Sequence, residues 1–203
     1  MVTVNEINEN VSRLKAELDK INVLIHKEIL SIILDGSLIR GDFINYSSDI
    51  DLTITTSCNK IKTETQQLVK QTIKSVENTL PKRHFPNKPL VYDLQWQSLN
   101  TVKETGTRLP HQWNSTNIPS GYPKLWLYAF DSIKHHRVIY GQDITTYYSK
   151  LPTKNFVPIR LQRIKNSAER VKGNVSSYEA QYGAISQIKN AWEAIRCVCI
   201  AQD

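Results

Sequence analysis

The run Leu34-Asp35-Gly36-Ser37-Leu38-Ile39-Arg40-Gly41, followed by Ser48-Asp49-Ile50-Asp51-Leu52, carries the residue types of a phosphate-handling site. Asp49 and Asp51 stand two apart in a stretch rich in Ile and Thr, so on a strand their carboxylates share a face. A divalent cation held by two such carboxylates bridges nucleotide phosphates and neutralises the charge that builds during in-line displacement. Asp93, between Tyr92 and Leu94, is the candidate third carboxylate, since an unpaired charge in mid-strand is costly to bury. On an adjacent strand it would share a metal with the pair and accept the proton of an attacking hydroxyl. Gly36, without a Cβ, lets backbone amides approach a phosphate, and Ser37 offers its hydroxyl to the same oxygens. Arg40 is placed either near those phosphates or on the surface.

Each part has a plainer explanation when taken alone. An Asp-X-Asp at a strand start is often turn chemistry. Gly and Ser end many strands, and Asp93 could face solvent on an edge strand. In this order, in a strand–turn–strand context, the parts specify a magnesium-dependent transfer of a phosphoryl-type group.

The elements that position these residues follow from periodicity. Ile7, Val11, Leu14, Leu18, Ile21, Leu24 and Ile25 recur at spacings of three and four, which predicts an amphipathic helix over 4–27. The apolar run 29–34 with Gly36 behind it predicts a buried strand. Residues 38–48 read as a turn or short helix plus loop. Residues 49–55 and 90–97 alternate as strands, and 61–80 reads as a second helix. Pro81, Pro86 and Pro89 break the chain between them. No period appears over 98–122, which reads as a long loop. Residues 125–139 read as helical, ending at Gly141, and two further helices are expected near 157–172 and 177–201, with Gly173 between them as a C-cap. The expected organisation is an α+β front over 1–145 and a helical C-terminal region over 150–203.

Bulk properties narrow the class. The 203 residues are enough for one or two domains with a core. No stretch approaches eighteen apolar residues, so no membrane span is expected. The first ten residues carry acids and asparagines in place of a basic and then apolar leader, which points away from secretion and toward the cytoplasm. Cys58, Cys197 and Cys199 fit neither a zinc site nor a disulfide framework and read as reduced thiols. The net charge of +7 attracts polyanions: nucleotides, nucleic acid or acidic surfaces.

The two motifs together resemble the signature of the DNA polymerase β-like nucleotidyltransferase superfamily, nearest to its minimal and aminoglycoside-type members. Their pattern is Gly-Ser, then Ala-Arg-Gly or similar, then Ser-Asp-Ile-Asp-Leu; Ile39 departs from it where a small residue is common. The resemblance implies an α+β palm, a small mixed β-sheet with helices packed on it. It implies transfer of a nucleoside monophosphate from a nucleoside triphosphate to a hydroxyl, with release of pyrophosphate. Gly36 and Ser37 would seat the phosphates, Asp49 and Asp51 would hold two Mg²⁺ ions, and Asp93 would match the third carboxylate. Ala129-Phe130-Asp131 and Arg137-Val138-Ile139-Tyr140-Gly141 look like the helix and exit that follow the catalytic sheet. The helical tail looks like an accessory region for the acceptor, which is analogy.

The acceptor stays open among a small molecule, a protein hydroxyl and RNA, as does homo-oligomerisation. The competing functions are a non-catalytic nucleotide- or partner-binding module of the same fold, antitoxin-like, and nucleic-acid binding through the basic C-terminal helices. Trp113, Tyr122 and Trp126 could stack on a base or anchor a loop. Glu179 and Glu193 read as solvated helix residues before acceptor-side bases, and His135-His136 as a helix end before a metal site.

Overall fold

The computed structural model describes residues 3–43, 48–82, 89–108, 129, 131–149 and positions 165, 188, 191, 192 and 195. The chain divides into two compact units, one of Met1–Ile118 with Tyr128–Ser149, the other of Pro119–Leu127 with Lys150–Asp203. In the second unit the five described positions are helical, and Ile188, Trp192 and Ile195 are exposed. The rest of the C-terminal helices expected from the sequence lies outside the described residues, as do Trp113, Tyr122, Trp126, Glu179, Glu193, Cys197 and Cys199.

The first unit opens with helix α1, Val4–Lys20. Thr3 and Glu6 form a reciprocal capping box: the Glu6 amide donates to the Thr3 hydroxyl at 3.2 Å, and the Thr3 amide donates to the Glu6 carboxylate at 2.7 Å. Two otherwise unpaired donors of the first turn are thereby satisfied. The single helix expected over 4–27 breaks at Ile21, and a separate turn α2, Asn22–Ile25, follows. The break turns Leu24 out to 68% exposure beside Val23, while Ile25 stays in the core.

Strand β1, Ile29–Asp35, leads through Gly36 into the short helix α3, Ser37–Arg40. Strand β2, Ile50–Thr56, helix α4, Thr63–Glu77, and strand β3, Tyr92–Ser98, follow. Two expectations are corrected here. The aperiodic segment after Ser98 begins with a helix α5, Leu99–Thr105, capped by the Ser98 hydroxyl on the Thr101 amide at 3.1 Å. Its polar, Thr-rich surface hid the helical period. The segment Arg137–Gly141, expected as a helix end, is strand β4, and the helical stretch before it covers Ala129 and 131–134. Val138, Ile139 and Tyr140 are β-branched or aromatic, the types that fit a pleated surface.

The sheet order is β3-β2-β1-β4, with β2 and β3 parallel and the other pairs antiparallel. One face is apolar. Ile32, Leu34, Ile50, Leu52, Ile54, Leu94 and Trp96 pack with Ile7, Val11, Leu14 and Leu18 of α1 and Val69, Ile73 and Val76 of α4. Each fully buried aliphatic side chain there contributes about 1.5–3 kcal/mol. The other face alternates in register with it and, apart from the buried Ile33, is polar: Ser31 and Asp35 on β1, Asp51, Thr53 and Thr55 on β2, Asp93, Gln95 and Gln97 on β3. A smaller core of Val102, Ala129, Ile144 and Tyr148 lies apart from the main one. Gln97 bridges the polar face to that core, donating to Thr55 Oγ1 at 3.0 Å and to Tyr148 Oη at 2.8 Å.

Candidate active site

Strand register puts three carboxylates in a row. Asp35 pairs with Asp51 across β1 and β2, and Asp51 pairs with Asp93 across β2 and β3. Paired positions share a face, and in an antiparallel pair such as Asp35 with Asp51 the Cβ atoms stand about 4.5–5.5 Å apart. Asp49 stands just before β2, two residues from Asp51. Thus Asp51 and Asp93 are brought side by side. Asp93 is exposed on the outer of the described strands, and Asp49 and Asp51 are partly buried.

Gly36 makes the turn between β1 and α3 with φ +74° and ψ −158°. Its missing side chain has a definite occupant. A Cβ added there would overlap Asp51 Oδ2 and lie 2.6 Å from Asp51 Cγ. The glycine therefore makes room for the Asp51 carboxylate against the turn. Ser37 is the first residue of α3, and the Arg40 and Gly41 amides close the turn onto the carbonyls of Gly36 and Ser37.

The electrostatics of the row combine burial with neighbouring like charges. Burial among protein atoms pushes Asp51 up to about 7, the negative charges of Asp35 and Asp93 push the same way, and Arg108 and Arg40 oppose them. Arg40 is an ion-pair partner in this structure. Its guanidinium lies 3.3 Å from Asp42 and 3.5 Å from Asp131, with 14% of its side chain exposed.

Asp35, Arg108 and Ser132 were not singled out by sequence reasoning. Asp35 is 1% exposed. Its Oδ2 accepts from Thr53 Oγ1 at 3.0 Å and Ser132 Oγ at 3.1 Å, and Arg108 Nη1 lies 2.9 Å away. Arg108 Nη2 donates to Gln95 Oε1 at 2.8 Å. The available signal was an acid ending an otherwise apolar strand, where an ionised side chain requires a buried cation. Which cation meets it depends on a contact from far along the chain. His136 lies 3.1 Å from Asp143 and belongs to a surface pair.

No protein family and no curated protein matches the chain. Among solved structures it is similar to the crystal structure of spectinomycin adenyltransferase AAD(9) from Enterococcus faecialis with ATP and spectinomycin. The identity is 13% and the TM-score 0.49, over 85% of this chain and 70% of that one. The chemistry is therefore read from the residues of this chain.

Proposed function

We propose that this protein is a magnesium-dependent nucleotidyltransferase that moves a nucleoside monophosphate from a nucleoside triphosphate to a hydroxyl acceptor. The observation that carries this reading is the register of Asp51 with Asp93 on one sheet face, beside the Gly36 turn.

Among the described residues no group of three or more His, Cys, Asp or Glu forms a metal cluster. The fit is to Mg²⁺, which takes one or two carboxylates and completes its shell with phosphate oxygens and water. Asp51, Asp93 and Asp49 supply such carboxylates, while Asp35 is committed to Arg108. The burial that lifts Asp51, and the like charges beside it, are what a divalent cation offsets. The ion, when bound, would neutralise phosphate charge during displacement.

The protein's own groups then have distinct work. The Gly36 turn and the Ser37 hydroxyl seat the phosphates. Asp93, exposed at the outer strand, accepts the proton of the acceptor hydroxyl as its oxygen bonds to the α-phosphorus. The bond from that phosphorus to the bridging oxygen breaks, and pyrophosphate leaves. The net charge of +7 favours a neutral or anionic acceptor over a cationic one.

The test is incubation with each α-labelled nucleoside triphosphate, Mg²⁺ and candidate acceptors, with Asp51→Asn in parallel. Label transfer by the wild type and its loss in the variant support the reading. Equal transfer by both proteins, or none by the wild type, overturns it.

A further inference from the structure

The outer strand β3 carries Asp93 yet, among the described residues, pairs with a neighbour on one side only. Its position against Asp51 therefore depends on side-chain anchors as well as on the ladder. At its start the Tyr92 amide donates to Glu77 Oε2 at 2.8 Å, and at its end Gln97 is bound to Thr55 and Tyr148. Between them stands Gln95, two residues from Asp93 and on the same face. Its partner is Arg108, whose side chain is 5% exposed. The same guanidinium meets Asp35 on β1 at 2.9 Å and Gln95 on β3 at 2.8 Å. It thus spans β2 from one flanking strand to the other, over Thr53, which is itself bonded to Asp35. Ser132 completes the support, donating to Asp35 at 3.1 Å and accepting from Arg108 at 3.4 Å.

We propose that Arg108 is a positioning residue that clamps β1 to β3 across β2 and so sets the placement of Asp93 beside Asp51. A planar fork with several donors is needed for this, because one group must hold two acceptors on strands that do not touch. A lysine keeps the charge opposite Asp35 but reaches only one of the two. This inference rests on the reading that Asp51 and Asp93 carry the transfer, while the clamp has a signature independent of it.

The experiment compares Gln95→Met, Arg108→Lys and Gln97→Met with the wild type by amide hydrogen exchange and by steady-state kinetics well below each melting temperature. Gln95→Met removes the β3 end of the clamp and leaves the Arg108–Asp35 pair. Gln97→Met removes a buried amide from the same strand, further from Asp93. Gln95→Met and Arg108→Lys are expected to speed exchange at the amides of 92–95 while α1 and α4 stay protected. In both, kcat per folded molecule falls by about 10- to 100-fold with KM for the triphosphate nearly unchanged, as a small displacement of a reacting group produces. Gln97→Met lowers the melting temperature with a smaller fall in kcat, because its anchor lies further along the strand from Asp93. Unchanged or uniformly altered exchange in the first two variants overturns the clamp, and so does an equal loss of kcat in Gln97→Met. Selective exchange in β3 from a wild type that makes no product upholds the clamp and overturns the transferase reading instead.

Discussion

Gly36 and Asp51 pack so closely that the smallest side chain at position 36 would occupy the space of the Asp51 carboxylate. The backbone there also sits at φ +74°, which costs a residue with a Cβ on the order of 1 kcal/mol or more. Gly36→Ala is therefore expected to lose transfer activity and to destabilise the fold by about 1–3 kcal/mol through strain and overpacking. Urea melts and a label-transfer assay on the purified variant check both parts. An active variant of wild-type stability would show that the turn and the carboxylate are not coupled.

Asp51 itself is expected to trade activity against stability. The folded state holds its proton up to about pH 7, whereas the unfolded chain releases it near 4. Between those values the native state binds more protons than the unfolded one, so stability falls as pH rises through that window. In the absence of divalent cations, Asp51→Asn is expected to flatten this decline and to gain on the order of 1–3 kcal/mol at pH 8. Denaturant melts at pH 5 and pH 8 in chelator provide the comparison. A variant less stable than the wild type at pH 8 would show that burying the ionised Asp51 carries no cost.

Asp93 is exposed, so its replacement by the isosteric amide leaves the packing of the sheet intact. Asp93→Asn is expected to keep the melting temperature within about 2 °C, since surface substitutions usually stay within about 0.5 kcal/mol. It is expected to lower kcat by a factor of about 10² to 10⁴, the usual worth of a general base. Retained kcat would assign proton removal to another group.

A buried hydroxyl on the apolar face of the sheet, opposite the acid row, separates stability from chemistry. Tyr92 Oη donates to Asn10 Oδ1 at 2.6 Å, and Asn10 Nδ2 donates to the Val76 carbonyl at 3.0 Å and to Thr79 Oγ1 at 2.8 Å. The network ties α1 to the end of α4 and the start of β3. Tyr92→Phe is expected to cost about 1–2 kcal/mol by leaving the Asn10 oxygen without this donor. Turnover at a temperature well below the melting point is expected to stay at the wild-type value. A fall in turnover per folded molecule would extend the functional network through β3 to its apolar face.

How much of this was legible from the chain follows the range of each interaction. The strands carrying Asp51 and Asp93, and the turn at Gly36, were readable because alternation and glycine chemistry are written within a few residues. The front helix was readable too, but its break at Ile21 was not, since Leu24 and Ile25 continue the apolar spacing and only packing sends one of them to solvent. Strand β4 was misread because Arg137–Gly141 follows a helical stretch and takes its conformation from pairing with Ser31–Leu34.

The candidate row divides along the same line. Residue types and short spacings were sufficient to nominate Asp49, Asp51, Asp93, Gly36 and Ser37, because the preference of a cation for paired carboxylates is a local matter. That Gly36 yields its side-chain space to Asp51, that Asp35 stands in the same row, and that Arg108 holds it from β1 to β3 are outcomes of register and burial. Such contacts join residues far apart in the chain and leave no period or motif behind. Only the folded sheet, where an ionised group must find its partner away from water, brings them together.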